Sequence, residues 1–438
     1  MLFRSDFNKL DYVLFIAVIM VIAFGIVTIY SAGYDSVLGV NNNMYKRQII
    51  WFVLGFSIML GLTFLDYRIF GDYSLQIFGF VLVILILTSF FGPRIRNMRA
   101  WISFGAFSIQ PSEFMKLATI IVLAKYLELR ERDIYRFKEL LVPTVIVLIP
   151  MLFIMKQPDF GTAMIFVPVL FAMLFAAGAD VTHLVAIILI AVIGLFVPMS
   201  LTYYEWVNPE SESILLKLYY NGGQLYLVSV VFFVIASVTF LLHLFRVNKY
   251  FRRIYIPSYV FSIGLFVSVF FQRYMKDYQK KRILVFLKPD LDPLGSGYNV
   301  IQSKIAIGSG GFFGKGFMEG TQTRLGFLPE KTSDFIVAVI AEEWGFVGAM
   351  FLLLALFTIV FRGLKISMYT KDKFGALLVI GISALFFVHF IINIGMVIGF
   401  MPVTGLPLTF VSYGGSNLLS AMMGVGLLLS VSMHRSSM

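Results

Sequence analysis

The chain has no cysteine among its 438 residues. That absence excludes disulfide scaffolds, thiolate nucleophiles, iron–sulfur centres and cysteine-ligated zinc. Histidine occurs only at His183, His243, His389 and His434, far apart and never at metal-ligand spacing, which argues against a histidine-held metal or haem. Charge is also scarce. Asp, Glu, Lys and Arg make up 13%, about half of what a soluble domain carries. Length alone would suggest roughly three soluble domains at about 150 residues each; the shortage of charge excludes them.

What fills the chain is apolar. Hydrophobic residues make up 59% and the mean hydropathy is +0.89. A bilayer core takes about 20 apolar residues per helix. Such runs occupy 12–32, 49–65, 74–91, 113–129, 140–156, 161–179, 183–203, 224–245, 255–272, 335–361, 375–400 and 415–433. Lipid offers no partner for backbone N–H and C=O groups, so all must be helices. The expected fold is an all-α polytopic membrane protein of about twelve transmembrane helices. The run 113–129 is the weakest, because Glu113 opens it and Lys116 lies within it.

An even number of crossings puts both termini on one side. Arg4, Lys9 and the basic loops 125–138, 246–253 and 362–373 share that side, and the positive-inside rule makes it the cytoplasm. Seventeen of the 35 Lys and Arg then lie inside and eighteen outside. Ten of the eighteen fall in the long segment 273–331, and long loops escape the rule. A cationic outer surface attracts anionic substrate, or ordinary anionic lipid.

Several segments bear polar residues where a membrane makes them expensive. Gln110-Pro111-Ser112-Glu113 opens a helix, with Pro111 suited to its first turn and Glu113 to the positive end of its dipole. Lys116 shares a face with Glu113. Upstream, Arg94, Arg96, Arg99 and Trp101 form a basic-aromatic loop. Asp159, in Gln157-Pro158-Asp159, reads equally as a helix N-cap and as a functional acid. In 288–298, Asp290 and Asp292 stand two apart between prolines and glycines, a turn signature flanked by Lys276, Lys280, Lys281, Arg282, Lys288 and Lys304. A carboxylate among cations stays ionised and can act as a base.

The glycine-rich stretch Gly308–Gly316 fails as a nucleotide loop. The P-loop pattern needs glycine where Ser309 stands and Ser or Thr where Gly316 stands, so a flexible or anion-contacting loop is expected and no nucleotide is implied. Leu328–Asp334 leads into a span bearing Glu342, Glu343 and Trp344, whose acids need a cavity or a partner helix. Gly405–Ser416, with Ser412, interrupts the last apolar region. A re-entrant segment is expected there, since irregular backbone survives at membrane depth only against protein or water.

Five ordered blocks, Arg99–Lys116, Lys156–Ala163, Asp277–Phe317, Phe327–Gly348 and Gly395–Ser416, resemble the SEDS family (shape, elongation, division and sporulation) of membrane peptidoglycan polymerases. Asp292-Pro293-Leu294-Gly295 and Ile301–Gly311 are more similar to the elongation member than to the division member. The resemblance implies a single membrane domain that polymerises lipid II on the outer face of the bacterial inner membrane. It implies that the family's essential outer-loop aspartate is Asp292, within a large extracytoplasmic loop over 273–333. It places the family's helix-start Glu and Lys on Glu113 and Lys116. The partners it implies are a class B penicillin-binding protein and other membrane proteins of the elongation complex; nucleic acid has no place.

Two departures stand out. Thr332 occupies the position of a family histidine, and the family usually has ten spans. A hairpin inserted over about 204–254 accounts for the extra two. For the chemistry, Asp292 is expected to act as general base on the acceptor hydroxyl in an inverting transfer. A divalent cation (Mg or Mn) held by Asp292 is the competing role. Pyrophosphate or substrate contacts are expected from Arg99, Trp101, Glu113, Lys116, Asp159, Arg282, Lys304 and Ser412. Two other functions fit parts of the sequence: a lipid II flippase, and a non-catalytic scaffold for the penicillin-binding protein.

Overall fold

Each expected apolar run folds as a helix. The computed structural model describes residues 9–35, 40–94, 98–104, 107–207, 222–274, 285 and 297–434. Among them the long helices are α1 (Tyr12–Ala32), α2 (Met44–Phe64), α3 (Ser74–Phe91), α4 (Pro111–Leu129), α5 (Leu141–Lys156), α6 (Phe160–Ala177), α7 (Val181–Val207), α8 (Gly222–Leu244), α9 (Arg252–Tyr274), α10 (Ile336–Met368), α11 (Lys373–Ile398) and α12 (Gly415–His434). Eleven are long and apolar enough to cross a membrane. The exception is α4, which carries Glu113, Lys116, Lys125 and Glu128. The chain is an integral membrane protein.

The helices form two compact units, Met1–Ala179 with Asn299–Met438, and Asp180–Tyr298. In the first unit, α4 touches α3, α5, α6, α11 and α12. That is why a helix with four charges is tolerated: most of its side chains face protein and few face lipid. Around it, α1 packs on α10, α2 on α12, and α11 on both α6 and α10. Small residues let the backbones approach. A Cβ on Gly426 of α12 would come 2.8 Å from the Met59 carbonyl oxygen of α2.

The two ends of this unit differ. At one, Asp11 caps α1 by accepting from the Leu14 N–H at 2.9 Å and receives Arg362 of α10 through Nε at 2.9 Å and Nη2 at 2.6 Å. Ser432 donates to the Lys9 carbonyl there at 2.7 Å. The opposite end gathers the starts of α2, α4, α6, α10 and α12 with the finishes of α3, α5 and α11.

The glycine-rich stretch, expected as a flexible or anion-contacting loop, is docked into α10. Gly308–Gly310 end a helix, Tyr298–Gly310, and the residues after it insert into a break in α10. Gly345 sits at φ 63° and ψ −158°, opening the helical ladder. Lys315 and Gly316 N–H donate to the Glu342 and Glu343 carbonyls at 3.0 Å each. Phe346 and Val347 N–H donate to the Gly311 and Phe312 carbonyls at 3.0 and 3.2 Å. The stretch therefore satisfies the backbone groups that the break frees. Glycine is required at 345 by its positive φ and because a Cβ there would lie 2.7 Å from the Phe312 carbonyl oxygen.

In the second unit α9 packs on α7 and α8. Ser229 of α8 and Ser262 of α9 donate their hydroxyls to each other's carbonyls at 2.9 and 2.8 Å, a polar clasp between apolar helices. The hairpin expected over 204–254 falls in this unit, with 208–221 outside the described residues.

Candidate functional site

The polar residues of the first unit converge where α4, α6 and α12 begin. Gln110, the residue before Pro111, donates through Nε2 to Asp159 Oδ2 at 2.8 Å, and its N–H donates to Ser416 Oγ at 2.9 Å. Asp159 caps α6, accepting from the Thr162 N–H at 3.0 Å and its hydroxyl at 2.8 Å. The cap expected of Asp159 from sequence is formed, and the same carboxylate also receives Gln110. Desolvation pushes its carboxyl above the usual range, against the lowering pull of Thr162.

One turn deeper lies a closed charge network. Glu113 Oε2 accepts from Lys116 Nζ at 2.9 Å, Asn417 Nδ2 at 3.1 Å and Ser420 Oγ at 3.3 Å. Lys116 Nζ is also 2.9 Å from His389 Nε2 of α11. An ammonium only donates, so Nε2 accepts, and the neutral imidazole carries its proton on Nδ1. All three ionisable residues are at most 4% exposed. Sequence reasoning missed His389, Asn417 and Ser420. The available signal was a histidine inside an apolar span, read only for metal binding.

The re-entrant segment closes over this region. Residues 404–413 are non-helical yet largely buried, and named side chains satisfy their backbone. Asn393 Nδ2 of α11 donates to the Leu406 carbonyl at 2.6 Å and the Asp334 carbonyl at 3.0 Å. Ser412 Oγ accepts from the Leu408 N–H at 2.8 Å and donates to the Ser333 carbonyl at 2.5 Å. Gln48 donates to the Ser412 carbonyl at 3.1 Å. Phe410, fully buried against Phe386, holds φ 73°, a left-handed geometry costly for a bulky residue. Thr332, at the family's histidine position, presents its carbonyl to the Tyr413 N–H at 2.9 Å.

The remaining candidates lie around this end. Arg99 Nη1 donates to the Phe90 carbonyl at 2.5 Å, and Lys156 Nζ stands 3.4 Å from the Phe90 ring centroid, so two cations meet where α3 finishes. Trp101 is half-buried just before the antiparallel hairpin β1 (Ile102–Phe104) and β2 (Phe107–Ile109), which leads into α4. Lys304 is exposed on the helix Tyr298–Gly310, its side chain against Gly399 past the end of α11. Asp292 and Arg282 lie outside the described residues, as does Asp290. Among the described residues no group of His, Asp or Glu is arranged to hold a metal ion.

Both acids of α10 are engaged by neighbouring segments. Glu342 accepts from the Gln322 and Thr323 N–H groups, the Thr323 hydroxyl and Lys315 Nζ, all within 3.1 Å. It pins residues 315–323 to the break at Gly345. Glu343 receives the Ser31 hydroxyl of α1.

Fold and site together define a polytopic helical membrane protein whose buried ion-pair network is capped, at one end, by a re-entrant segment and a cationic rim. The FtsW/RodA/SpoVE family profile, described as cell cycle protein, matches residues 11–215 and 214–437. The chain belongs to this family, the SEDS proteins. It is 36% identical over 433 residues to the peptidoglycan glycosyltransferase RodA of Treponema pallidum, covering 98% of each chain. It is 33% identical over 430 residues to the stage V sporulation protein E of Bacillus subtilis, covering 97% of each. Its fold matches, with a TM-score of 0.68 and 26% identity over 97% of each chain, a solved chain from work on structural coordination of polymerization and crosslinking by a peptidoglycan synthase complex.

Proposed function

We propose that this chain is a peptidoglycan glycosyltransferase that polymerises lipid II during cell elongation. The observation that carries this is identity over essentially its whole length to a glycosyltransferase of that name. In this reading the end bearing Gln110, Asp159 and Ser412 faces outward, and both termini are cytoplasmic. The positive-inside count supports that orientation.

Lipid II carries an α-linked sugar on pyrophosphate and the glycan is β-linked, so one in-line attack by an acceptor hydroxyl inverts the centre. Asp292 takes the proton of that hydroxyl. The pyrophosphate departs as an anion and needs positive charge more than an acid. Lys116 is already engaged by Glu113 and His389. Arg99, with Lys156 beside it, and Lys304 are the candidates at the rim; Arg282 joins them from the sequence. Asp292 is also the residue that would hold a divalent cation, which would stabilise the same leaving group.

The partner in this account is a class B penicillin-binding protein, which cross-links the strands as they emerge. The likeness to a chain studied in a peptidoglycan synthase complex supports it. Purified protein in detergent, given labelled lipid II with and without that partner, tests the reading. A glycan ladder on a gel is expected. No ladder in either sample, together with lipid II translocation across vesicles, would move the assignment to a flippase.

A further inference from the structure

The basic turn between α8 and α9 takes no part in the reaction proposed above, and an open cavity lies where it leads into α9. Arg252 and Arg253, the first residues of α9, line an open cavity of about 480 Å³ with Ile256, Pro257 and Thr182 of α7. Pro257 has no N–H to give the Arg253 carbonyl, so that carbonyl lacks its usual helical donor beside the cavity. Both arginines are exposed, and Arg253 lies 5.5 Å from the Tyr250 ring. Arg246 adds a third exposed cation at the finish of α8. The facing acid is Asp180, which accepts from the Thr182 N–H at 2.8 Å. His183 stands one turn along α7. The charge around the cavity is therefore predominantly positive.

Apolar side chains are exposed as well. Phe245 is 75% exposed and Val247 63%, and Val181, Tyr250 and Ile254 are also exposed. Val181 and Ile254 lie in the first turns of α7 and α9, and Phe245, Val247 and Tyr250 lie in the turn between α8 and α9. Cations accompanied by exposed apolar side chains at the ends of membrane-crossing helices suit a molecule that is anionic at its head and apolar below. A soluble anion would use the charge and leave the exposed apolar side chains unused. We infer that the Arg252–Arg253 cavity, between the starts of α7 and α9, is a binding site for the headgroup of an anionic phospholipid.

The test uses full-length protein purified from bacterial membranes. Bound phospholipid is extracted and identified for wild type, R252Q/R253Q and the control R132Q, an exposed arginine elsewhere. Wild type and control are expected to retain anionic phospholipid. The double variant should bind phosphatidylglycerol about thirtyfold more weakly, the effect of losing two arginines near a headgroup. Equal retention by all three overturns the site. A second measurement needs only wild type: delipidated protein is titrated with phosphatidylglycerol, phosphatidylcholine or inorganic phosphate while its melting temperature is followed. A rise with phosphatidylglycerol alone supports the inference. An equal rise with phosphatidylcholine shows unselective lipid solvation, and an equal rise with phosphate shows a free-anion site; either overturns it.

Discussion

Lys116 Nζ lies 2.9 Å from both Glu113 Oε2 and His389 Nε2, so one buried ammonium joins the start of α4 to the middle of α11. Removing one partner of a buried pair leaves the other charge uncompensated, at a cost of about 3–5 kcal/mol. Lys116→Met is expected to destabilise by that amount, and Glu113→Gln alone by a similar amount. The double variant should lose much less than the sum. A double-mutant cycle by denaturation in detergent checks this, and additive losses would show that the pair is not coupled.

His389 contributes as an acceptor. His389→Leu removes it and leaves a Lys116 proton without a partner, at about 1–3 kcal/mol. His389→Gln, which can still accept, is expected to recover part of that loss. Melting temperatures of the two variants separate the hydrogen bond from the volume of the ring.

The break in α10 makes a backbone prediction. Gly345→Ala puts a side chain into a positive-φ geometry and against the Phe312 carbonyl, at a cost of at least about 1–3 kcal/mol. The variant should lose the docking of residues 311–316. Faster amide exchange at Lys315, Gly316, Phe346 and Val347 would report it; unchanged exchange would contradict it.

Asp159 supplies a pH dependence. Burial raises its folded carboxyl above the ordinary aspartate value of 3.8. Its contribution to stability is therefore full below that value and declines as pH rises through the folded value. Asp159→Asn keeps the cap without the ionisation. The stability of wild type minus that of Asp159→Asn is expected to fall with rising pH, measured by thermal unfolding across the acid range.

The helices were legible because hydrocarbon thickness fixes their length, and every apolar run of sufficient length became one. Even α4 was legible, since Pro111 and Glu113 mark its start. Its burial was not, because that depends on five neighbouring helices. The pairing of Lys116 with His389 spans 273 residues, and no local pattern announces it. The Gly308–Gly316 stretch misled for the same reason: its glycines answer to a helix break some thirty residues further on. The interruption at Ser412 and the cap at Asp159 were legible because helix interruptions and caps have local signatures, whereas Asn393, which satisfies the irregular backbone, sits inside an ordinary apolar span, and Gln48, which does the same, precedes one with no signature of its own.

The central claim is chemical, and Asp292 is its most exposed point. Wild type, Asp292→Ala and Asp292→Asn, each purified and shown to melt alike, would be given labelled lipid II with the penicillin-binding partner present. The account predicts a glycan ladder from wild type and none from either variant. A ladder from Asp292→Asn matching wild type would contradict it, because an amide can neither take the hydroxyl proton nor replace a carboxylate on a metal.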